Sequence, residues 1–160
     1  MCACKDNLPQ PETTEAERTV IIYMMAENSL NRFAANDLNE IRQAYANVPK
    51  NTNLLVYVDN SSLPIIYNVT AKKGLTEWKT FSQDQLSTDS TVMQRTLKEI
   101  TAKFPAKKYG LVLWSHGSGW VPQSRAIGID NGKNTSSNNG LQMDITTLRG
   151  VLENLPHMEY

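Results

Sequence analysis

His116 is the residue with the most chemistry to offer in this sequence. It follows the apolar run Gly110-Leu-Val-Leu-Trp114 by a single serine and precedes Gly117-Ser-Gly119. An imidazole exchanges protons near neutrality, so at the end of a strand it can serve as a general base and then as a general acid. Glycines at positions 117 and 119 leave backbone N–H groups uncovered, and such groups can stabilise the oxyanion of an acyl-transfer intermediate. The plainer reading is a strand-end histidine held by one backbone bond, beside glycines that only turn the chain. That reading leaves unexplained why Trp114, Ser115, Ser118 and Trp120 crowd the same short stretch. The second histidine, His157, sits near the C-terminus.

Rival chemistries find less support. Ser118 has glycine as both immediate neighbours, whereas a nucleophile elbow places them two residues away on each side. There is no Gly-x-x-x-x-Gly-Lys-Ser/Thr phosphate loop, and no Gly-x-Gly-x-x-Gly follows the first apolar run. No His-x-x-x-His or carboxylate–histidine helix pair argues for catalytic zinc, and the acidic residues lack calcium-loop spacing. Cys2 and Cys4 are the only cysteines. A bridge between them would staple nothing, and the rest of the chain holds neither a thiol nucleophile nor a cysteine metal site. Asn60-Ser-Ser, Asn68-Val-Thr and Asn134-Thr-Ser match a glycosylation pattern that is frequent by chance.

The elements that must position His116 follow from the patterning. The 160 residues are 40% apolar and 20% charged, which fits one soluble domain. Sixteen basic and sixteen acidic residues cancel, which removes the strongly basic nucleic-acid binder. No apolar run approaches the ~20 residues that span a bilayer. Met1 to Arg18 has few large apolar residues, prolines at 9 and 11 and an acidic stretch, and is expected to be a flexible leader. Its Met1-Cys-Ala-Cys4 start resembles the cleavage end of a bacterial lipoprotein signal, with Cys4 as the lipid-bearing residue, although no greasy segment precedes it.

From Thr19 strands and helices alternate. Thr19 to Met25 reads as an interior strand. Ser29 can cap a helix with Leu30, Phe33, Ala34, Leu38, Ile41 and Tyr45 at helical spacing. Leu54–Val58 and Ile65–Val69 read as a hairpin, and Leu75–Phe81 as a fourth strand. Ser87 to Ser90 opens a second helix that Pro105 stops. Tyr109–Trp114 is expected to be the central strand, and the polar residues from Asp130 to Gly140 a loop. Asp144 can cap a last helix, Ile145 to Leu155. The whole is an α/β sandwich of three layers with a mostly parallel sheet. Ligands of such sheets bind beyond the carboxyl ends of the strands. That rim gathers Glu27 and Asn28, Asp59, and Ser115 to Trp120.

At this point the residues resemble a family. Thr19 to Leu30, Leu55-Val-Tyr-Val-Asp59, Gly128-Ile-Asp130 and above all Leu113-Trp-Ser-His-Gly-Ser-Gly-Trp120 look like the N-terminal part of the clostripain family of cysteine peptidases. The resemblance runs from about Thr19 to Leu155. It implies a caspase-like α/β/α sandwich and a His–Cys dyad that cuts peptides or proteins after basic residues, Arg above all and Lys with it. It also implies calcium as a candidate cofactor, because clostripain itself requires it. By the same resemblance His116 is the dyad histidine, the backbone of Gly117 lies near the oxyanion, and Asn28 and Asp59 line the substrate cleft.

The resemblance further implies a nucleophilic Cys on the strand after the final helix, next to an Asp that helps hold the basic side chain. The sequence ends at Pro156-His-Met-Glu-Tyr160, where that strand is expected to begin. The fold is therefore expected to be incomplete at the C-terminus, with residues 19–160 as the N-terminal part of the peptidase domain. The expected partners are the Cys-bearing half and a peptide with a basic residue at the cut. Alone, the chain is expected to be silent. Processing at a basic residue is expected at Lys133 or Arg125, of which Lys133 lies in the more loop-like stretch. The location is expected to be outside the cytoplasm, secreted or lipid-anchored, with no nucleic-acid partner. The alternative is a non-catalytic interaction module on the same sandwich; a serine hydrolase built on Ser118 is disfavoured by the missing elbow.

Overall fold

A computed structural model describes residues 15–118, 125–133, 136 and 138–159. Cys4, Gly119, Trp120 and most of the expected leader lie outside them. The first strand, β1 (Ala16–Met25), begins within the stretch read as leader. Ala16 and Arg18 pair with Ala106 and Lys108, so the polar start of the strand is fixed by backbone pairing and not by burial.

The five-stranded sheet runs β4 (Gly74–Thr80), β3 (Ile65–Thr70), β2 (Thr52–Asp59), β1 and β5 (Ala106–Trp114). β1 is parallel to both β2 and β5. β3 and β4 add as antiparallel hairpin strands, so the sheet is mixed. The strand expected at the centre, β5, is an edge strand among the described residues.

Both faces of the sheet are covered. Ile21, Tyr23 and Met25 of β1 and Leu55 and Tyr57 of β2 point to one side, against Met93, Leu97 and Ile100 of α2 (Ser90–Lys103) and Leu148 and Val151 of α3 (Ile145–Leu152). Met24 and Ala26, with Val56 and Val58, point to the other side, against Ala34 and Leu38 of α1 (Asn31–Ala44). The alternation is that of a strand buried on both faces. Tyr23 and Tyr57 stack with ring centroids 4.3 Å apart inside the first core.

Local chemistry sets the helix starts. Asp89 caps α2 by accepting from the N–H groups of Thr91 and Val92, and Asp144 caps α3 by accepting from that of Thr147. Ser29 does not cap α1: Leu30 holds that position with no side-chain bond, and the Asn28 Oδ1 accepts its N–H at 2.9 Å. Phe33, expected on the buried face, is exposed because Ala34 and Leu38 already face the sheet. Helix α3 ends at Leu152, short of Leu155, and Ile145 in its first turn is exposed.

The polar region after β5 holds a hairpin that the pattern did not announce. β6 (Ala126–Asp130) pairs antiparallel with β7 (Leu141–Asp144). Gly128 in β6 has φ +80°, and a Cβ there would stand 2.5 Å from the Met25 Sδ and 2.9 Å from the Thr88 Cγ2. Only glycine lets the hairpin pack this closely on the end of β1.

Candidate active site

Parallel pairing makes β1, β2 and β5 finish at one rim. Met25 stands level with Asp59, and Met24 with Trp114. The residues after each strand therefore emerge together, as the strand pattern implied. Trp114 is fixed there by its Nε1, which donates to Asp37 of α1 at 2.8 Å.

His116 lies half-buried just past β5. Its carbonyl accepts from the Gly128 N–H at 2.9 Å, and Gly117 bridges to Ile127, so the turn is clamped onto β6. Its Nε2 lies 3.0 Å from the hydroxyl of Ser29, which holds the ring from the side of β1. The other side opens on a cavity of about 290 Å3, lined by His116, Gly117, Ser118, Gly128, Ile129 and Gln142. A Cβ on Gly117 would meet nothing within 4 Å, so space stands next to its backbone. Ser118 exchanges bonds with the backbone of Ala126, at 2.8 and 3.2 Å, and is committed to that turn.

Asn28 and Asp59 are at the rim but not in the cleft. Asn28 is fully buried, and its amide donates to the carbonyls of Met25 (2.9 Å) and Ile129 (2.7 Å). Ser115 donates to the same Met25 carbonyl at 2.6 Å, so the two side chains pin β5 and β6 to the end of β1. Asp59 is also fully buried, and neither carboxylate oxygen has a hydrogen-bond partner. Burial, then the charges of Asp130 and Glu27, push its carboxyl up to about 9. The family resemblance implies that both line the substrate cleft, and the strand pattern puts them at the rim; here both are buried, and the β6–β7 hairpin covers them.

That hairpin also brings in Lys133. Its φ of 75° is unusual for a side chain with a Cβ. The loop is held in this form by the Lys133 N–H on Glu27 Oε2 (2.7 Å) and the Gly132 N–H on Asp130 Oδ1 (2.9 Å). The Lys133 Nζ meets Glu27 Oε1 at 2.7 Å, Asp84 Oδ1 at 2.6 Å and the Ser62 carbonyl at 2.6 Å. Burial works against the Lys133 charge, but the bonds to Asp84 and Glu27 outweigh it and hold the ammonium above its ordinary range. Burial raises the Glu27 carboxyl, and the bonds from Lys133 pull the other way. Glu27, Asp59 and Asp84 each bring a carboxylate oxygen within 4.8 Å of the others. An all-oxygen cluster of this kind is the donor set that a calcium ion takes, so these residues fit the cation that the family resemblance implied.

Arg125 lies exposed just before β6, away from such partners among the described residues. Ser29 and Asp84 are the site residues that sequence reasoning missed. Ser29 sat next to two rim candidates and was assigned to a cap; Asp84 lies in a loop whose place beside Glu27 no local pattern encodes.

Comparison with known proteins identifies the family and the fold. The sequence profile of the clostripain family matches residues 22–160. A secreted C11 cysteine protease from Bacteroides thetaiotaomicron, solved with an irreversible peptide inhibitor, is 36% identical with a TM-score of 0.77; the match covers 90% of this chain and 41% of that one. A cysteine protease from B. fragilis is 36% identical with a TM-score of 0.60, over 66% of this chain and 93% of that one. An inactive zymogen C11 protease from Parabacteroides distasonis is 32% identical with a TM-score of 0.61, over 68% of this chain and 33% of that one. No curated protein matches. The chain thus spans well under half the length of two of these relatives.

Proposed function

The chain belongs to the clostripain family of cysteine peptidases, and from that premise we propose that it is the histidine-bearing part of an endopeptidase that cuts after basic residues, Arg above all and Lys with it. The observation that carries the proposal is His116, held at the mouth of a cavity by β6 and Ser29 with the open backbone of Gly117 beside it.

The nucleophile is proposed to come from a strand that lies along the outer edge of β5. Support comes from the last described residues. Met158 bridges to Tyr109 in parallel sense, the Glu159 N–H donates to the Tyr109 carbonyl at 2.8 Å, and Lys108 pairs with Glu159 at 3.0 Å. A strand in that register advances toward Ser115 and brings a thiol beside the imidazole. The thiolate would attack the scissile carbonyl, the Gly117 N–H would receive the developing oxyanion, and His116 would pass a proton to the leaving amine. Lys133 is the proposed processing position in preference to Arg125. Its ammonium must first leave Glu27 and Asp84 before a peptidase can take it as a basic side chain at the cut. The secreted relative supports a place outside the cytoplasm, and Cys4 is proposed as a lipid-bearing residue there. No helix among the described residues is long and apolar enough to cross a membrane.

The test is hydrolysis of Arg- and Lys-amide peptides. The 160-residue chain alone is expected to be silent. Joined to a Cys-bearing C-terminal part, it is expected to turn over, with a loss of about 100-fold or more in His116→Ala. Hydrolysis by the chain alone, or by the joined protein equally well without His116, would refute the reading. A joined protein that folds and binds peptides without cutting them would point to the interaction module instead.

A further inference from the structure

We propose that Ser29 is a positioning residue for His116: its hydroxyl accepts the Nε2–H and so reserves Nδ1 for proton transfer to and from the substrate. The inference deepens the peptidase reading and rests on it for the reaction, while the hold on the ring can be read in the chain alone. The Ser29 Oγ and the His116 Nε2 stand 3.0 Å apart, across 87 positions of sequence. Among the described residues neither that hydroxyl nor either ring nitrogen has another hydrogen-bond partner. A serine this close to a helix start usually caps it. Here the N-terminal N–H groups of α1 take nothing from the Ser29 side chain, so the hydroxyl is left for the imidazole.

Both members of the pair follow a side chain tied to the same acceptor. Asn28, one residue before Ser29, donates to the Met25 carbonyl at 2.9 Å, and Ser115, one residue before His116, donates to that carbonyl at 2.6 Å. Ile129 closes the knot: its carbonyl accepts from the Asn28 amide at 2.7 Å, and its N–H donates to the Ser115 hydroxyl at 3.3 Å. The Asn28 Oδ1 also holds the Leu30 N–H, so the backbone is fixed on both sides of Ser29. From the β6–β7 loop, the Asn138 Oδ1 accepts the Ser29 N–H at 3.2 Å. Ser29 itself is exposed, so its packing gives no reason for a hydroxyl; the imidazole does.

A hydroxyl can accept from a protonated ring nitrogen or donate to a bare one, and the bond at one nitrogen decides the state of the other. A base oriented by a third group is the general arrangement of nucleophilic catalysis. With the Nε2–H on Ser29, only Nδ1 gains and loses a proton. As the Sγ–C bond forms and the scissile C–N bond breaks, the Nδ1 proton of the imidazolium passes to the leaving nitrogen. When water then displaces the sulfur, the C–O bond forms, the C–S bond breaks and Nδ1 takes the proton from the water, which restores thiolate and imidazolium. The Nε2–H stays on the Ser29 oxygen through both steps. The ring neither turns nor changes tautomer, so the reacting nitrogen keeps its place.

The experiment is nitrogen-15 NMR of the histidine rings in the 160-residue chain at about pH 8.5, where an ordinary imidazole is neutral. Steady-state kinetics of the chain joined to a Cys-bearing C-terminal part follow. The chain has two histidines, so His157 serves as the internal reference. His116 is expected as a single tautomer with its proton on Nε2. Ser29→Ala should relax it toward a mixture, with His157 and the urea midpoint unmoved, and Ser29→Thr, which keeps the hydroxyl, should restore it. In the joined protein Ser29→Ala should lower kcat about tenfold with KM within about twofold, and Ser29→Thr should recover most of that loss. A proton on Nδ1, or a tautomer ratio that Ser29→Ala leaves unmoved, would overturn the proposal. So would an unmoved kcat in a joined protein that depends on His116. A joined protein that cuts equally well without His116 would refute the peptidase reading instead, and the tautomer ratio would still decide whether Ser29 holds the ring.

Discussion

Gly128 shows how much of the site rests on one missing methyl group. The clamp from its N–H to the His116 carbonyl needs β6 to pass over Met25 and Thr88 at a distance that no Cβ allows. Gly128→Ala adds both a steric clash and a side chain at positive φ, and overpacking of this sort costs about 1–3 kcal/mol. The expected outcome is a lower urea midpoint with an unchanged slope, and loss of the Gly128-to-His116 amide protection in hydrogen exchange. A midpoint equal to that of the unaltered chain would show that the hairpin is free to lift. His116 was legible in the sequence because its signal is local: an apolar strand, then a histidine, then glycines. Glu27, Asn28 and Asp59 were legible as rim residues for the same reason. That Asn28 and Asp59 are sealed beneath a hairpin was not, since their cover comes from residues about 70 to 100 positions away in sequence. Ser29 and Asp84 escaped for the same cause: their partners, His116 and Lys133, are brought in only by the tertiary fold.

At the level of elements, the readable parts are those whose period is long enough to count. β1, β2 and β5, and the helices α1 and α2, each repeat their apolar spacing over many residues. The β2–β3 hairpin is marked by the polar, proline-ended run from Asp59 to Pro64 between its strands. The β6–β7 hairpin was not, because its strands are 5 and 4 residues long and stand on either side of an Asn- and Gly-rich run whose composition reads as loop. The Pro105 stop and the Asp89 cap bound α2 from both ends, and the cap can be tested. The Asp89 carboxylate accepts from Thr91 at 2.8 Å and from Val92 at 3.0 Å. Asp89→Ala should cost about 1 kcal/mol. A thermal or urea melt reads it directly, and Asp89→Ser, which can still cap, should recover most of the loss. If serine recovers nothing, the aspartate acts by some means other than capping. Because α2 packs on α3 and on the face of the sheet that carries Tyr23 and Tyr57, the loss should appear as one cooperative shift of the whole melt.

For the whole molecule the decisive feature is the outer edge of β5. On one side β5 is paired with β1 along most of its length; on the other, among the described residues, it meets only the Met158 segment near Tyr109. Beyond that contact the edge from Gly110 to Trp114 offers open backbone, and Val112 stands 43% exposed on it. Beside it, α3 and the segment after it border an apolar groove of about 520 Å3, with Leu148, Leu152, Leu155 and Met158 in its walls. An apolar strand edge with open backbone, next to an apolar groove, is a template for pairing with another strand. The β3–β4 side of the sheet ends differently, with Thr76, Glu77 and Lys79 on its last strand. Self-association through β5 is therefore the expected behaviour of the 160-residue chain at high concentration. Sedimentation velocity should show a dimer or larger species that grows with concentration. Val112→Lys places a charge on the exposed edge and should return the chain to a monomer with its melt unchanged, since the side chain already faces solvent. A concentration-independent monomer in the unaltered chain would mean that the Met158 segment covers more of the edge in solution than one bridge. Association that Val112→Lys leaves intact would move the contact off β5 altogether, and with it the surface along which the nucleophile-bearing strand is proposed to lie.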